Sequence, residues 1–291
     1  MKKKVILSML AAALCALNSM TLSAQGVIVY KTDGTKIKVP YTLLDSIATY
    51  TYEEGQDDAD DNAEVKEYTV GGATFKMIRV EAGTFRMGST SGDSDEQPVH
   101  NVTISKDYYI GETEVTQELW MAVMGTNPSY FTSDSQLPVE KVSWNDCQTF
   151  ITKLNSLTGA TFRLPTEAEW EFAARGGNKS QGYTYSGSNT IDNVAWYSGN
   201  SSSKTHVVKT KSPNELGIYD MSGNVWEWCQ DWYGSYSSAA VTDPQGASSG
   251  SNRVSRGGGW NSNATYCRCT YRYYNTPTNT YSSLGLRLVS Q

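Results

Sequence analysis

Two carboxylates, Asp220 and Glu227, bracket a small-residue turn, Ser222-Gly223-Asn224, within residues 217–229. Trp226 and Trp228 alternate with Glu227, and in an extended segment alternation sends both indoles to one side and the carboxylate to the other. The turn frees the carbonyls of Gly223 and Val225 to point with the acids. Hard oxygens converging from carboxylates and main chain are the ligands that Ca²⁺ selects. A surface turn beside two core tryptophans has the same spacing, and spacing alone does not choose. Sulfur is the second candidate chemistry, with Cys147, Cys229, Cys267 and Cys269 in the body of the chain and Cys15 near its start. In an oxidising compartment those four allow two disulfides in three pairings. One intervening residue is too few for Cys267 to bond Cys269, so a bridge from Cys229 to one of them is expected. The only two histidines, His100 and His206, sit where structural or solvated roles are expected. No Gly-x-Ser-x-Gly elbow stands in a strand-to-helix context.

These groups must be held by a chain of 291 residues with formal net charge −6. That balance argues against nucleic acid, whose phosphates demand basic patches. Charged residues are 19% of the chain, while Gly, Ser, Thr, Asn and Tyr abound, the profile of a loop-rich extracellular fold. Residues 1–24 read as a secretory signal peptide: basic Lys2-Lys3-Lys4, an apolar run from Val5 to Leu17, and a small pair Ser23-Ala24 for cleavage. No other stretch is long and apolar enough to cross a membrane. Residues 25–52 form a small β module whose alternating residues flank Asp33-Gly34, a hairpin signal. Residues 53–66 hold seven acids against Lys66 alone and read as a solvated linker. The main domain spans 67–291.

Within it, strands are expected at Phe75–Val80, Gly83–Gly88, Val99–Ile104 and Tyr108–Glu112. Thr116 caps a first helix closed by Asn127-Pro128. Ser143 opens a second, with Trp144, Cys147, Phe150, Ile151 and Leu154 at helical spacing and Gly159 as its stop. Thr166 and Glu169 form a capping box for a third, ended by Gly176-Gly177. Loops, short strands and turns follow, with no further clear helix.

Seven phrases in order carry a family resemblance: Gly83-Thr-Phe-Arg-Met-Gly88, Glu112-Thr-Glu-Val-Thr116, Val142-Ser-Trp-Asn-Asp146, Arg163-Leu-Pro-Thr-Glu-Ala-Glu-Trp170, the 217–228 stretch, Arg256-Gly-Gly-Gly-Trp260 and Leu284-Gly-Leu-Arg287. Over roughly residues 70–289 the chain resembles the formylglycine-generating enzyme, or sulfatase-modifying factor, family. The resemblance implies an α+β, C-type-lectin-like fold with few helices, short mixed sheets, long loops and bound Ca²⁺. Carried over by position, one calcium would take Asp220 and Glu227 carboxylates with Gly223 and Val225 carbonyls, and a second would use Asn193 and the Val194 carbonyl. Formylglycine-generating members oxidise a cysteine of a client protein with O₂, using Cu(I) held by two thiolates five residues apart. Counted from Gly257-Gly258, the second falls on Cys267 and the first on Ser262. A hydroxyl is a hard ligand and does not replace a thiolate on Cu(I), so the family's oxidation is in doubt here. The 25–52 module resembles an N-terminal segment of secreted proteins of gut Bacteroidetes.

Residues 261–283 contain seventeen Asn, Ser, Thr or Tyr among twenty-three. Tyr266, Tyr271, Tyr273, Tyr274 and Tyr281 offer stiff amphipathic contacts, and Asn261, Asn263 and Asn275 adaptable hydrogen bonds, as in antibody paratopes. The segment also resembles the variable segment of retroelement-diversified proteins. Arg253, Arg256, Trp260, Arg268, Arg272 and Arg287 are expected to hold its frame, the arginines by bidentate pairing with carboxylates of the helical region. The expected role is non-catalytic recognition of a surface protein or glycan. The alternative is an O₂-dependent oxidoreductase using Cys267 on a protein cysteine.

Overall fold

The computed structural model describes residues 64–291 throughout, and the strands Leu17–Ser23, Gly26–Lys31 and Lys36–Pro40 of the N-terminal part. Those three strands make one antiparallel sheet in sequence order, with Tyr30 opposite Lys36 across the expected hairpin. The Asp33-Gly34 turn itself, the acidic stretch 53–63 and the expected signal peptide outside Leu17–Ser23 lie outside the described residues. By contact density the chain divides into Met1–Asp61 and Asn62–Gln291. The second unit opens with a strand at Val65–Val70, which takes in Val65 and Lys66 from the stretch expected as linker.

Five strands form the principal sheet of this unit, in the order Val65–Val70, Ala73–Val80, Tyr108–Gly111, Val289–Ser290 and Phe162–Arg163. The strand Val289–Ser290 lies antiparallel to both neighbours, between Tyr108–Gly111 and Phe162–Arg163. Helix α1 (Gln117–Met124) starts where the Thr116 hydroxyl accepts the Leu119 N–H and ends at Gly125 in the left-handed conformation, earlier than Asn127-Pro128. Helix α2 (Trp144–Thr158) carries a capping box between Ser143 and Asp146 and stops at left-handed Gly159. Helix α3 (Glu167–Ala174) has the expected Thr166–Glu169 box. Capping hydroxyls satisfy backbone N–H groups that a helix start leaves orphaned, which is why these three starts were readable. A one-turn helix, Ile191–Val194, and a 3-10 turn, Ala264–Cys267, were not expected; each is too short to show a periodicity.

The strand Trp226–Trp232 separates two cores. Trp228 is buried with Phe150, Leu154 and Trp120 of α2 and α1, and Trp226 packs on the same cluster. Cys229 belongs to the other cluster, around Trp170 and Phe172 of α3. Glu227 reaches that side too, where it accepts the indole N–H of Trp170 at 2.6 Å. The strand pairs antiparallel with Arg253–Arg256 and parallel with Leu284–Gly285, and Arg253–Arg256 in turn carries Tyr273–Asn275 at the edge. This four-stranded sheet is what presents residues 261–283.

Candidate functional site

The turn before the central strand is built from three residues in the left-handed region, Asp220 (φ 58°), Gly223 (φ 85°) and Asn224 (φ 59°). Gly223 has no substitute: a Cβ there would strike the Trp196 carbonyl, and positive φ already favours glycine. The turn buries Asp220, Asn224 and Glu227. Glu114, to which the motif gave no role, lies beneath them. Its carboxylate accepts Asn224 Nδ2 at 2.7 Å and the Val225 N–H at 2.9 Å. Burial, with Asp220 and Glu227 nearby, pushes its pKa well above the ordinary carboxylate range.

The expected calcium ligands do not stand alike. Glu227 departs from expectation: both its oxygens accept from Arg287, at 2.7–3.0 Å, and Oε2 also takes Trp170. Three N–H donors thus occupy most of the four or so lone-pair sites of this carboxylate, and the guanidinium balances its charge. Asp220 accepts the Lys209 N–H through Oδ2 at 2.8 Å, while its buried Oδ1 has no hydrogen-bond partner. Burial lifts its pKa to about 6, against the pull of that N–H and of Arg287. A buried carboxylate oxygen with no donor fits a hard cation, and backbone oxygens of the turn are at hand. Among the described residues, no three His, Cys, Asp or Glu side chains gather as a metal-binding group. For the second expected site, Asn193 is exposed and its carbonyl accepts the Ser212 N–H. The Lys211 ammonium donates at 2.6 Å to the adjoining Asp192 carbonyl, a positive charge beside Asn193 and Val194.

The thiols also depart from expectation. Cys147, Cys229, Cys267 and Cys269, the four cysteines among the described residues, are free and buried, so neither Cys267 nor Cys269 bridges to Cys229. Cys269 faces the α3 cluster and donates to the Ala174 carbonyl at 3.4 Å, while Cys267 sits against Gly258. Burial lifts both thiol pKa values to about 12, so they rest protonated. Ser262 is itself buried and accepts the Gly259 N–H at 3.0 Å. It closes the turn after the glycine run, and the residues present do not fit a two-thiolate copper site. His100 bonds the Pro98 carbonyl through Nδ1, and His206 bonds the Ser201 carbonyl and stacks on Trp196.

Residues of the 261–283 segment do converge. Asn261, Ser262, Tyr266, Tyr273, Asn275 and Tyr281 line a cleft of ≈ 330 Å³ around Trp226. The ring of Tyr273 lies 5.4 Å from Trp226, and those of Tyr271 and Tyr266 at 6.0 and 6.5 Å. No charged side chain lines it. Three expected contact residues do other work. Tyr271 is buried beneath Tyr266, with ring centroids at 4.7 Å. Asn263 caps the 3-10 turn by accepting the Thr265 N–H. Tyr274, exposed, lies tilted against Tyr233 at 4.5 Å and stacks on Tyr273 without itself lining the cleft. Trp226 was singled out for its alternation alone, and its place at the centre of the cleft had no signal in the sequence.

A lattice of ion pairs ties the 261–283 segment to α3 and to Glu96. Arg272 forks Glu167 of α3 at 2.6 and 2.7 Å, and Arg268 forks Glu96 at 2.6 and 2.9 Å. Arg256 pairs with Glu171 at 2.5 Å and donates to the carbonyls of Cys269, Thr270 and Tyr271. Burial alone would lower the Arg256 and Arg272 pKa values, but Glu171 and Glu167 outweigh it and raise them. Arg253 departs from the expected pattern: its guanidinium lies 3.4 and 4.0 Å from the Trp232 and Trp144 rings.

Residues 62–291 match the family model described as the sulfatase-modifying factor enzyme 1-like domain. The chain is similar to the chaperone protein LppX of Paenibacillus barcinonensis, 39% identical over 245 residues spanning 67% of this chain and 82% of LppX. It is similar to the formylglycine-generating enzyme of Streptomyces coelicolor, 29% identical over 287 residues, 74% of this chain and 89% of that enzyme. It spans only 37% of the serine/threonine-protein kinase pkn1 of Chlamydia pneumoniae, to which it is 32% identical over 241 residues, 73% of this chain. Among solved structures it is similar to Treponema denticola variable protein 1, at 38% identity and a TM-score of 0.73, covering 79% of this chain and 99% of that one.

Proposed function

Because the chain belongs to the sulfatase-modifying factor family, we propose that it is an exported, non-catalytic member that binds a surface protein or glycan in the cleft around Trp226. Its fold is the α+β, C-type-lectin-like fold of that family. No helix of the described residues is long and apolar enough to cross a membrane. The carrying observation is the replacement of a thiolate pair by buried Ser262 and a buried, protonated Cys267, beside a neutral cleft walled by tyrosines. Aromatic faces with amide and hydroxyl groups between them suit sugar rings and neutral peptide segments alike. The relative named as a chaperone favours a polypeptide ligand, and the neighbour named as a variable protein favours a displayed, adaptable surface.

The test is aerobic incubation with a cysteine-containing sulfatase-motif peptide and Cu(I), read by mass. The peptide is expected to emerge unchanged. Aldehyde formation that Cys267→Ala abolishes would restore the oxidoreductase reading.

Calcium belongs to the same proposal, with Asp220 and the Gly223 and Val225 carbonyls as ligands and Glu227, paired with Arg287, as a weaker fourth. The orphaned Asp220 Oδ1 supports it. After chelation with EDTA, added Ca²⁺ is expected to raise stability by about 2.7 kcal/mol at a hundred times Kd. Asp220→Ala should remove that gain, and identical melting with and without Ca²⁺ would sink the assignment.

A further inference from the structure

A second cavity, of ≈ 370 Å³, shares no lining residue with the tyrosine cleft. Its wall carries three guanidinium groups, Arg86, Arg175 and Arg268, the hydroxyls of the Ser89–Ser91 loop, and no carboxylate. In a chain of net charge −6 such a wall is a local inversion of the average. Two of its arginines are anchored from behind. Arg268 gives two arms to Glu96. Arg175 gives Nε to Glu171 and Nη2 to the Gly88 carbonyl, and its Nη1 has no hydrogen-bond partner among the described residues. The third, Arg86, is exposed and makes no ion pair or side-chain hydrogen bond among the described residues. Arg175, Arg256 and Arg272 already share two carboxylates, Glu171 and Glu167, so the anchors do not supply Arg86 with a partner.

The loop opposite is held in place. Gly88 sits at φ 90° where a Cβ would strike the Glu96 carbonyl, and its N–H donates to Glu171 at 2.9 Å. Ser89 and Ser91 hydroxyls lie 3.2 Å apart. The unpaired Arg86 fork and the remaining Arg175 Nη1, with the loop hydroxyls beside them, match an anion whose oxygens accept from several directions at once. We propose that this cavity binds a sulfate or phosphate group, free or as the ester end of a larger ligand, with Arg86 as the recruiting charge.

Calorimetric titration of the full chain with inorganic phosphate, inorganic sulfate and glucose 6-phosphate tests it, at ionic strength matched with chloride because exposed charges are screened. Saturable binding is expected, weakened roughly tenfold in Arg86→Gln, as for loss of a charge-assisted hydrogen bond. Arg86→Lys should fall between, having kept the charge and lost the fork. Equal affinity for the free anions and the sugar phosphate identifies a free anion as the ligand, and tighter ester binding identifies an ester. Absence of saturable binding by all three, or affinity unchanged in an Arg86→Gln protein that melts like the parent, overturns the proposal. The tyrosine cleft stands or falls separately.

Discussion

Arg256→Leu is expected to destabilise the protein by about 3–5 kcal/mol. Arg256 and Glu171 are both fully buried and meet at 2.5 Å. Removing the guanidinium strands the carbonyls of Cys269, Thr270 and Tyr271, which it alone collects, and each buried unsatisfied group adds its desolvation cost. Glu171 keeps Arg175 and the Gly88 N–H, so the damage falls mainly on the 261–283 segment. Glu171→Gln should cost less than Arg256→Leu, because the arginine keeps its three carbonyls. Urea unfolding followed by Trp fluorescence measures both. A loss under about 1 kcal/mol for Arg256→Leu, typical of an exposed ion pair, would mean that the segment is held by its own turns instead.

That lattice marks how far the sequence could be read. Caps are local: Thr166 and Glu169 stand three residues apart and announced α3. Alternation is local too, and it placed Trp226 and Trp228 against one core with Glu227 toward the other. Partners distant in sequence were not legible individually. Glu227 meets Arg287 across sixty residues and Arg268 meets Glu96 across 172, and nothing in either neighbourhood announces the other. The arginines as a group were expected to brace the segment, and Arg256, Arg268 and Arg272 do. Arg253 sits between two indoles because Trp144 and Trp232 converge only in three dimensions. Composition marked 261–283 as a surface, yet it could not separate Tyr273, exposed at the edge strand, from Tyr271 two residues earlier, buried under Tyr266. The cysteines show the same limit. The expected bridge rested on an oxidising compartment, whereas Cys147, Cys229 and Cys269 are claimed by the apolar clusters and Cys267 is buried apart from them.

Stability is expected to fall as pH rises from about 5 to 9, at about 1.4 kcal/mol per pH unit for each proton that the folded protein holds and the unfolded chain has lost. Asp231 dominates. Burial, then the neighbouring Glu167 charge, pushes its pKa from 3.8 to about 8, against the Glu167 N–H and Arg272. Glu140 follows: burial pushes it to about 7, against the N–H groups of Phe131 and Tyr130. Both are acids whose folded pKa is raised. Their contribution is complete below the unfolded values near 4 and is lost as pH climbs through the folded ones. Glu167 and Glu96 oppose this only on the acid side. Burial would raise them, but Arg272 and Arg268 win and lower them, so their stabilisation is present above pH 4.5 and lost as pH falls below it. The optimum therefore lies between about 4.5 and 6, on the acid side of neutrality. Above pH 9 the slope continues, because Cys267 and Cys269 ionise when unfolded and stay protonated to about 12 when folded. Asp231→Asn isolates the main term: the amide oxygen can still accept the Glu167 N–H, now at 2.9 Å, while the proton equilibrium is gone. Urea unfolding at pH 5, 7 and 9 should show a steep loss in the parent and a much flatter one in the variant. A parent more stable at pH 9 than at pH 5 would mean that Asp231 is ionised in the folded protein, with Arg272 outweighing burial.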